Sequence, residues 1–119
     1  MKAFNVNDSL FPFTEMILNG VKIIETRRTK SLHSLIGSRV GIIKTGCGKA
    51  MLVGYVDIVD VIKYNTVDDF RADYYLHRVE PGCEYDIEPC GIKYGYLMQN
   101  PVRCNPTPVF SKGIVIRNI

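Results

Sequence analysis

The chain has 119 residues, of which 46% are hydrophobic and 23% are charged. We expect a single domain over residues 1–119, because this length supports one apolar core but not two. The formal net charge of +3 is too small by itself to indicate a nucleic-acid-binding protein. No apolar run approaches the length of a transmembrane helix, and the N-terminus is unlike a signal peptide. The composition therefore predicts a cytoplasmic protein with no membrane association.

The cysteines give no indication of a disulfide framework or of a metal site. In a chain without an export signal, an even number of cysteines is more consistent with free thiols than with disulfides. Zinc sites usually contain ligand pairs at short spacing, whereas six residues separate the nearest two cysteines. We therefore expect four free thiols, no metal and no cofactor: Cys47, Cys83, Cys90 and Cys104.

The first elements in chain order are a short strand and a helix. The segment KAFNV, residues 2–6, alternates in polarity and predicts a strand. In the following segment, Phe13, Met16 and Ile17 share one helical face, and Pro12 precedes them as a start signal. Gly20 follows as a left-handed stop. We expect this helix to lead directly into the next strand.

That next strand, KIIETRR at residues 22–28, is unusually rich in charge of both signs. Strict alternation would place Lys22, Ile24 and Thr26 on one face, and Ile23, Glu25 and Arg27 on the other. Neither face is uniformly apolar, so the strand is expected at a rim or along a polar cleft. An edge strand charged to discourage aggregation is the alternative.

The rest of the chain predicts a β-rich domain with one more helix. Segments 38–46 and 50–64 are rich in β-branched residues and read as a hairpin at the centre of the sheet. Thr66 caps a predicted second helix over residues 66–79. Residues 80–91 predict an irregular loop, and the prolines of residues 101–109 favour edges and turns.

Two further strands, at 92–100 and 113–119, complete the prediction. The fold class is therefore α+β, a small mixed β-barrel of about six strands with two inserted helices. Charge is uneven along this chain. Residues 20–50 contain seven Lys and Arg side chains against one acid, whereas acidic residues predominate from 57 to 88.

The segment GVKIIETRR resembles the Gly-x-Lys-x-x-Glu-x-Arg signature of ASCH domains, which are relatives of the PUA-like β-barrels. The match rests on Gly20, Lys22, Glu25 and Arg27. The preceding SLFPFTEMILNG and the later KYGYLMQNPVR also resemble family segments, in the right order. The resemblance implies a PUA-like barrel with a cleft lined by the signature residues. It also implies a link to RNA binding, RNA modification or regulation of translation.

The resemblance favours an RNA or a nucleotide-like molecule as the partner. In this reading Arg27 or Arg28 binds a phosphate, Lys22 supplies a point charge, and Glu25 orients the cations or contacts a base. A tyrosine would stack on a base, and further cations would add contacts to other phosphates of the RNA. The candidates for these two roles are Tyr96, Tyr94 or Tyr55, and then Lys44, Lys49 and Arg103.

Some small members of the family resemble hydrolases that act on N4-acetylcytidine or on RNA. In this alternative Lys22 is the base or nucleophile, and Glu25 is a second catalytic group that shuttles a proton. The acetylcytidine-cleaving relatives carry a threonine where this chain has Glu25, a departure that weakens the transfer of activity. A second carboxylate would come from a later segment, and the sequence leaves Asp69, Glu80 and Glu84 open.

Two readings need no nucleic acid. Lys22, Glu25 and Arg27 also suit a structural salt-bridge network that closes the barrel. Alternatively, the acidic stretch 57–88 would be the contact surface of a protein-interaction module, with a protein as the partner.

Overall fold

The structure is a computed structural model that describes residues 1–119. The regular secondary structure of the chain consists of six strands, three short helices and one 3₁₀ turn. In chain order they are β1 (Lys2–Asn7), α1 (Phe13–Leu18), β2 (Ile24–Arg27), the 3₁₀ turn (His33–Leu35), β3 (Ser38–Thr45), β4 (Met51–Tyr64), α2 (Val67–Ala72), α3 (Tyr74–His77), β5 (Lys93–Pro108) and β6 (Ile116–Asn118).

All six strands form one mixed sheet in the order β2-β5-β4-β3-β1-β6. The β1–β3 pair is parallel, and the other four pairs are antiparallel. The sheet curls into a half-barrel, which confirms the predicted α+β class with about six strands. The predicted hairpin, now β3 and β4, occupies the two central positions. Because β2 and β6 are the two edge strands and do not pair with each other, the half-barrel has an open side.

The longest strand, β5, continues through the proline-rich segment. It extends to Pro108, although we expected residues 101–109 to form edges and turns. β2 pairs only with residues Tyr94 to Leu97 of β5, so beyond that point β5 has β4 as its one neighbour. The prolines therefore lie where β5 is itself an edge, which agrees with the expectation of an edge, although the segment is a strand and not a turn.

The first helix is as predicted. Two residues of α1, Phe13 and Ile17, are buried in the main core. Gly20 ends the segment with a left-handed backbone, at φ +75°. The carboxylate of Asp8 accepts hydrogen bonds from the backbone N–H and the hydroxyl of Thr14, at 3.1 and 2.5 Å. This satisfies an N–H of the first turn, which has no partner within the helix.

The second predicted helix is two helices, because the chain breaks at Asp73. Thr66 does cap α2, accepting from the backbone N–H of Asp69 at 3.1 Å. Asp73 ends α2 and starts α3, and its carboxylate accepts a hydrogen bond from the Tyr64 hydroxyl at 2.6 Å. An aspartate held in this way favours a helix boundary over a helix interior. None of the helices has the length and apolar character needed to cross a membrane.

Gly54 of β4 generates a test of the packing between α1 and the sheet. A Cβ at this position would lie 2.5 Å from Leu18 Cδ2 and 2.5 Å from the carbonyl oxygen of Val102. Gly54→Ala is therefore expected to lower the free energy of unfolding by roughly 2 kcal/mol, measured by urea titration. The loss is expected to be smaller in a Leu18→Ala background, because one of the two clashes is then removed. A Gly54→Ala protein as stable as wild type would contradict this packing.

Candidate functional site

A cleft of about 570 Å³ lies on the open side of the half-barrel. Its walls come from β1, β2 and β6, from the ends of β3 and β5, and from the segment 79–85. The lining residues that carry charge are five cations and two carboxylates: Lys22, Arg27, Arg28, Lys93, Arg117, Glu25 and Glu84. This volume lies within the range typical of small-molecule sites.

Lys22 is almost completely buried, with 1% of its surface exposed. Its position is set by the turn after α1, where the backbone N–H groups of Val21 and Lys22 both donate to the carbonyl of Met16. The side chain therefore passes beneath α1, and its ammonium lies 4.6 Å from the centre of the Phe13 ring. The ammonium donates a hydrogen bond to the backbone carbonyl of His77.

Glu25 lies between two cations. Lys22 Nζ is 3.7 Å from one carboxylate oxygen, and an Arg27 NH2 donates to the other at 2.9 Å. The alternation that placed Glu25 and Arg27 on one face is correct, but the prediction that Lys22 lies on the opposite face is wrong. The strand begins only at Ile24, so Lys22 belongs to the preceding loop and is not subject to alternation.

Thr26 also lines the cleft, contrary to the prediction from alternation. β2 is an edge strand whose unpaired side borders the cleft, so residues from both of its faces reach the rim.

Burial lowers the pKa of Lys22 to about 8. The negative charge of Glu25 raises this pKa, whereas the positive charges of Lys93 and Arg27 lower it further. Desolvation thus has the largest effect, although a carboxylate lies close by. At neutral pH the Lys22 amine can hold a proton or release one, which suits either a binding cation or a base.

Arg27 joins the two sides of the open half-barrel. Its NH2 group donates to the backbone carbonyl of Asn5 in β1 at 2.5 Å, as well as to Glu25. The side-chain oxygen of Asn5 in turn accepts from Arg117 Nε at 3.0 Å. Arg27 therefore connects β2 to β1, two strands that do not pair with each other. Arg117 adds a side-chain contact between β1 and β6, which are already paired.

The irregular segment 80–91 is a wall of the cleft. Arg28 NH2 donates to the carbonyl of Glu84 at 2.9 Å, which ties the end of β2 to this segment. The segment is anchored by buried Asp86, which accepts from Arg71 at 2.7 Å and from two backbone N–H groups. Tyr85 packs against Phe11 and Phe13, with ring centres 6.4 and 5.7 Å away, and also lines the cleft.

Lys93 and Tyr85 are cleft residues that the sequence analysis missed. Lys93 begins β5 and has only 2% of its surface exposed. Burial lowers the pKa of Lys93, the charge of Arg28 adds to this effect, and Glu25 opposes it. Lys93 is the first residue of the KYGYLMQNPVR segment that resembles the family, but that likeness lies in the glycine, the aromatic and hydrophobic residues and Asn-Pro, and it does not mark the lysine. For Tyr85, the one signal in the sequence was an aromatic residue within the acidic, proline-containing segment 80–91.

Tyr96 does not belong to the cleft. It is fully buried in the main core, and its hydroxyl lies 2.6 Å from His33 Nδ1 and 3.4 Å from the backbone nitrogen of Leu32. A side chain without exposed surface cannot stack on a ligand, so the prediction of Tyr96 as a binding residue is wrong. The paired strands β2 and β4 on either side of β5 place its ring inside the half-barrel.

Lys44 and Arg103 lie outside the cleft lining. Arg103 binds both carboxylate oxygens of Glu15 on α1, at 2.6 and 2.8 Å. Arg103, with a smaller contribution from Lys44, holds the pKa of Glu15 below its usual value. Arg103 thus pairs with a helix carboxylate and is not free to extend the cations of the cleft. Of the possible second carboxylates, Glu84 lines the cleft and Asp69 and Glu80 do not.

No cluster of three His, Cys, Asp or Glu side chains is close enough to hold a metal ion. The ionisable groups of the cleft are two amines, three guanidinium groups, two carboxylates and the Tyr85 phenol, and the side chains of two threonines and two asparagines also line it. Such a set can bind an oxyanion, form hydrogen bonds to a polar ring and transfer protons.

A half-barrel with a lysine, a glutamate and an arginine from one short segment at its open side is the arrangement expected from the resemblance to ASCH domains. The ASCH domain family model matches residues 11–99, so the chain belongs to the ASCH domain family. That family has a PUA-like fold. No curated protein matches the chain.

Crystal structures of ASCH from Zymomonas mobilis have the same fold. The wild-type structure superposes with a TM-score of 0.71 at 16% identity, covering 98% of this chain and 87% of that chain. Two of its point mutants give TM-scores of 0.75 and 0.72 at 18% and 17% identity. They cover 98% and 100% of this chain, and 87% and 91% of the mutant chains. At this identity the likeness establishes the fold alone.

The burial of Lys22 predicts an unusual dependence of stability on pH. Between about pH 8 and pH 10 the unfolded chain keeps its lysine proton while folded Lys22 loses it, so stability rises with pH. We expect a gain of about 2 kcal/mol across this window, from urea unfolding at several pH values. Lys22→Met is expected to remove most of this gain. Lys63→Met, at an exposed lysine, is the matched control. A wild-type stability that falls steadily across the window would contradict the burial of a titrating amine.

Proposed function

We propose that the chain is one ASCH domain that binds RNA, or a nucleotide-like ligand, in the cleft around Lys22, Glu25 and Arg27. The observation that carries the proposal is the charge of the cleft, where five cations face two carboxylates. One of the carboxylates, Glu25, is already shared by Lys22 and Arg27. Arg28, Lys93 and Arg117 form no ion pair within the protein, so the remaining positive charge favours an anionic ligand.

The depth of the cations supports a ligand that enters the cleft. Lys22 and Lys93 are buried, the Arg27 side chain is 19% exposed, and Arg28 is exposed. The phosphate and the polar groups of such a ligand would each meet a cation. Charges partly removed from water interact more strongly with an anion than surface charges do.

Tyr85 is the aromatic residue that we propose for base stacking, in place of Tyr96. Its ring lines the cleft and is supported on one side by Phe11 and Phe13. A ring fixed in this way offers a stacking surface at low cost in side-chain entropy. Stacking of a base on an aromatic side chain contributes about 1–3 kcal/mol.

Removal of Arg28 tests the binding proposal. Arg28→Ala is expected to weaken the affinity for a short single-stranded RNA about tenfold, because one charged contact to phosphate is lost. The slope of log affinity against log salt concentration should fall by about 0.7. Both quantities are measured by fluorescence anisotropy at several salt concentrations.

The control for this experiment is Arg39→Ala. Arg39 pairs with Asp57 outside the cleft, so this variant removes the same charge from another place. It should leave the affinity close to that of wild type. Equal losses in the two variants would mean that RNA binds by overall charge, and the cleft would not be the binding site.

A second candidate function is hydrolysis of an acylated nucleoside, and the lowered pKa of Lys22 favours it. An amine with a pKa of about 8 can take a proton from water while the water oxygen attacks the acyl carbon. It can then return the proton to the leaving nitrogen as the C–N bond breaks. Lys22 could instead attack the acyl carbon itself as a nucleophile. Glu25, 3.7 Å from the amine, would serve as proton shuttle.

Turnover of N4-acetylcytidine tests this second function. If it is correct, mass spectrometry should detect cytidine and acetate, and Lys22→Met should lower the rate at least about a hundredfold, the usual contribution of a general base. Lys63→Met serves as the exposed-lysine control. Cytidine release at the wild-type rate by Lys22→Met would exclude Lys22 as the essential base or nucleophile.

A further inference from the structure

Lys93 is the one buried charged residue without a partner in the protein. Seven polar or charged residues are buried, and the other six all form hydrogen bonds: Asp8, Thr14, Lys22, Glu25, His77 and Asp86. The Lys93 side chain is in neither a hydrogen bond nor an ion pair, although only 2% of the residue is exposed. No fully buried side-chain nitrogen lacks a partner, so the Lys93 ammonium retains a small exposed surface, and the residue lines the cleft. Buried ammonium groups are costly unless an acceptor compensates them.

The surroundings of Lys93 supply no acceptor. Lys93 and Arg28 line the same cleft. Burial lowers the pKa of Lys93, and the positive charge of Arg28 lowers it further. Glu25 is the nearby carboxylate, and Lys22 and Arg27 already occupy its two oxygens. Arg28 uses one N–H for the carbonyl of Glu84, so further N–H groups of its guanidinium remain for a ligand.

We propose that Lys93 and Arg28 form the subsite of the cleft that holds the phosphate of a nucleotide. An arginine fork and a lysine point charge together are a common way to hold a phosphate oxyanion. This inference rests on the proposed function, since the phosphate is the anionic group of that ligand class. The inference adds Lys93, which lies outside the signature strand, to the site. It also gives Lys93 and Arg28 a role that Lys22 does not have, which is to bind the phosphate.

The assignment follows from how each lysine is already engaged. The Lys22 ammonium is held by the His77 carbonyl and Glu25, and it lies over the Phe13 ring. Lys93 has none of these restraints, so its charge is the one that an incoming oxyanion would neutralise. Phosphate binding there would supply a partner for a charge that is largely removed from water.

The first test compares cytidine 5′-monophosphate with cytidine, by calorimetry at low ionic strength. Wild type should bind the nucleotide more tightly than the nucleoside. Lys93→Met should weaken nucleotide binding about tenfold, the usual effect of losing one charge-assisted contact, with nucleoside binding unchanged. Methionine fills the buried volume without a charge, and Lys63→Met is the surface control. If Lys93→Met changes the affinities for nucleotide and nucleoside equally, or changes neither, the subsite is overturned while the binding function stands.

The second test uses wild-type protein and inorganic phosphate, so it does not depend on the folding of a variant. The side-chain ¹⁵Nζ NMR signal of Lys93, identified by its loss in Lys93→Met, should shift saturably as phosphate is added. If phosphate shifts this signal but neither nucleotide nor RNA binds, the subsite is supported and the proposed nucleotide-binding function fails. A Lys93 signal that neither phosphate nor the nucleotide shifts would overturn the subsite.

Discussion

The structure depends on how the Glu25 carboxylate is shared between Lys22 and Arg27 at the open side of an incomplete barrel. Strands β2 and β6 are edges that do not pair, so side chains must bridge the gap. Arg27 does so by binding Glu25 on its own strand and the Asn5 carbonyl on β1. The signature residues thus have a structural role, as one reading of the sequence proposed. The ion pair of Arg27 and Glu25 can stabilise the half-barrel and also take part in ligand binding, because both residues line the cleft.

Neutralisation in this cleft is incomplete. Glu25 balances one positive charge, and Lys93 has no partner within the protein. Buried charges without partners are expensive for folding, and sites of this kind are commonly functional. A lysine can reduce that cost by releasing its proton, and the pKa values of both buried lysines are lowered. An anionic ligand reduces it in another way, by supplying the missing charge.

The sequence predicted the sheet well because β-branched runs and glycine turns mark strands locally, as for β3 and β4. It also identified Glu25 and Arg27 as partners, because alternation within a strand is a local rule. It failed where position depends on distant segments. Lys22 reaches Glu25 because the turn after α1 folds back onto Met16. Tyr96 is buried by the strands on both sides of β5, and Lys93 lacks a partner because Glu25 is already bound to other cations.

The central claim is that ligands bind in the cleft of the half-barrel and not along a surface track through Lys44 and Arg103. The most direct measurement is an NMR titration of ¹⁵N-labelled wild-type protein with a short single-stranded RNA. Binding in the cleft predicts saturable shifts of the backbone amides of five residues that line it: Asn5, Thr26, Arg28, Tyr85 and Lys93. Shifts concentrated around Glu15, Lys44 and Arg103, with the cleft amides unmoved, would contradict it.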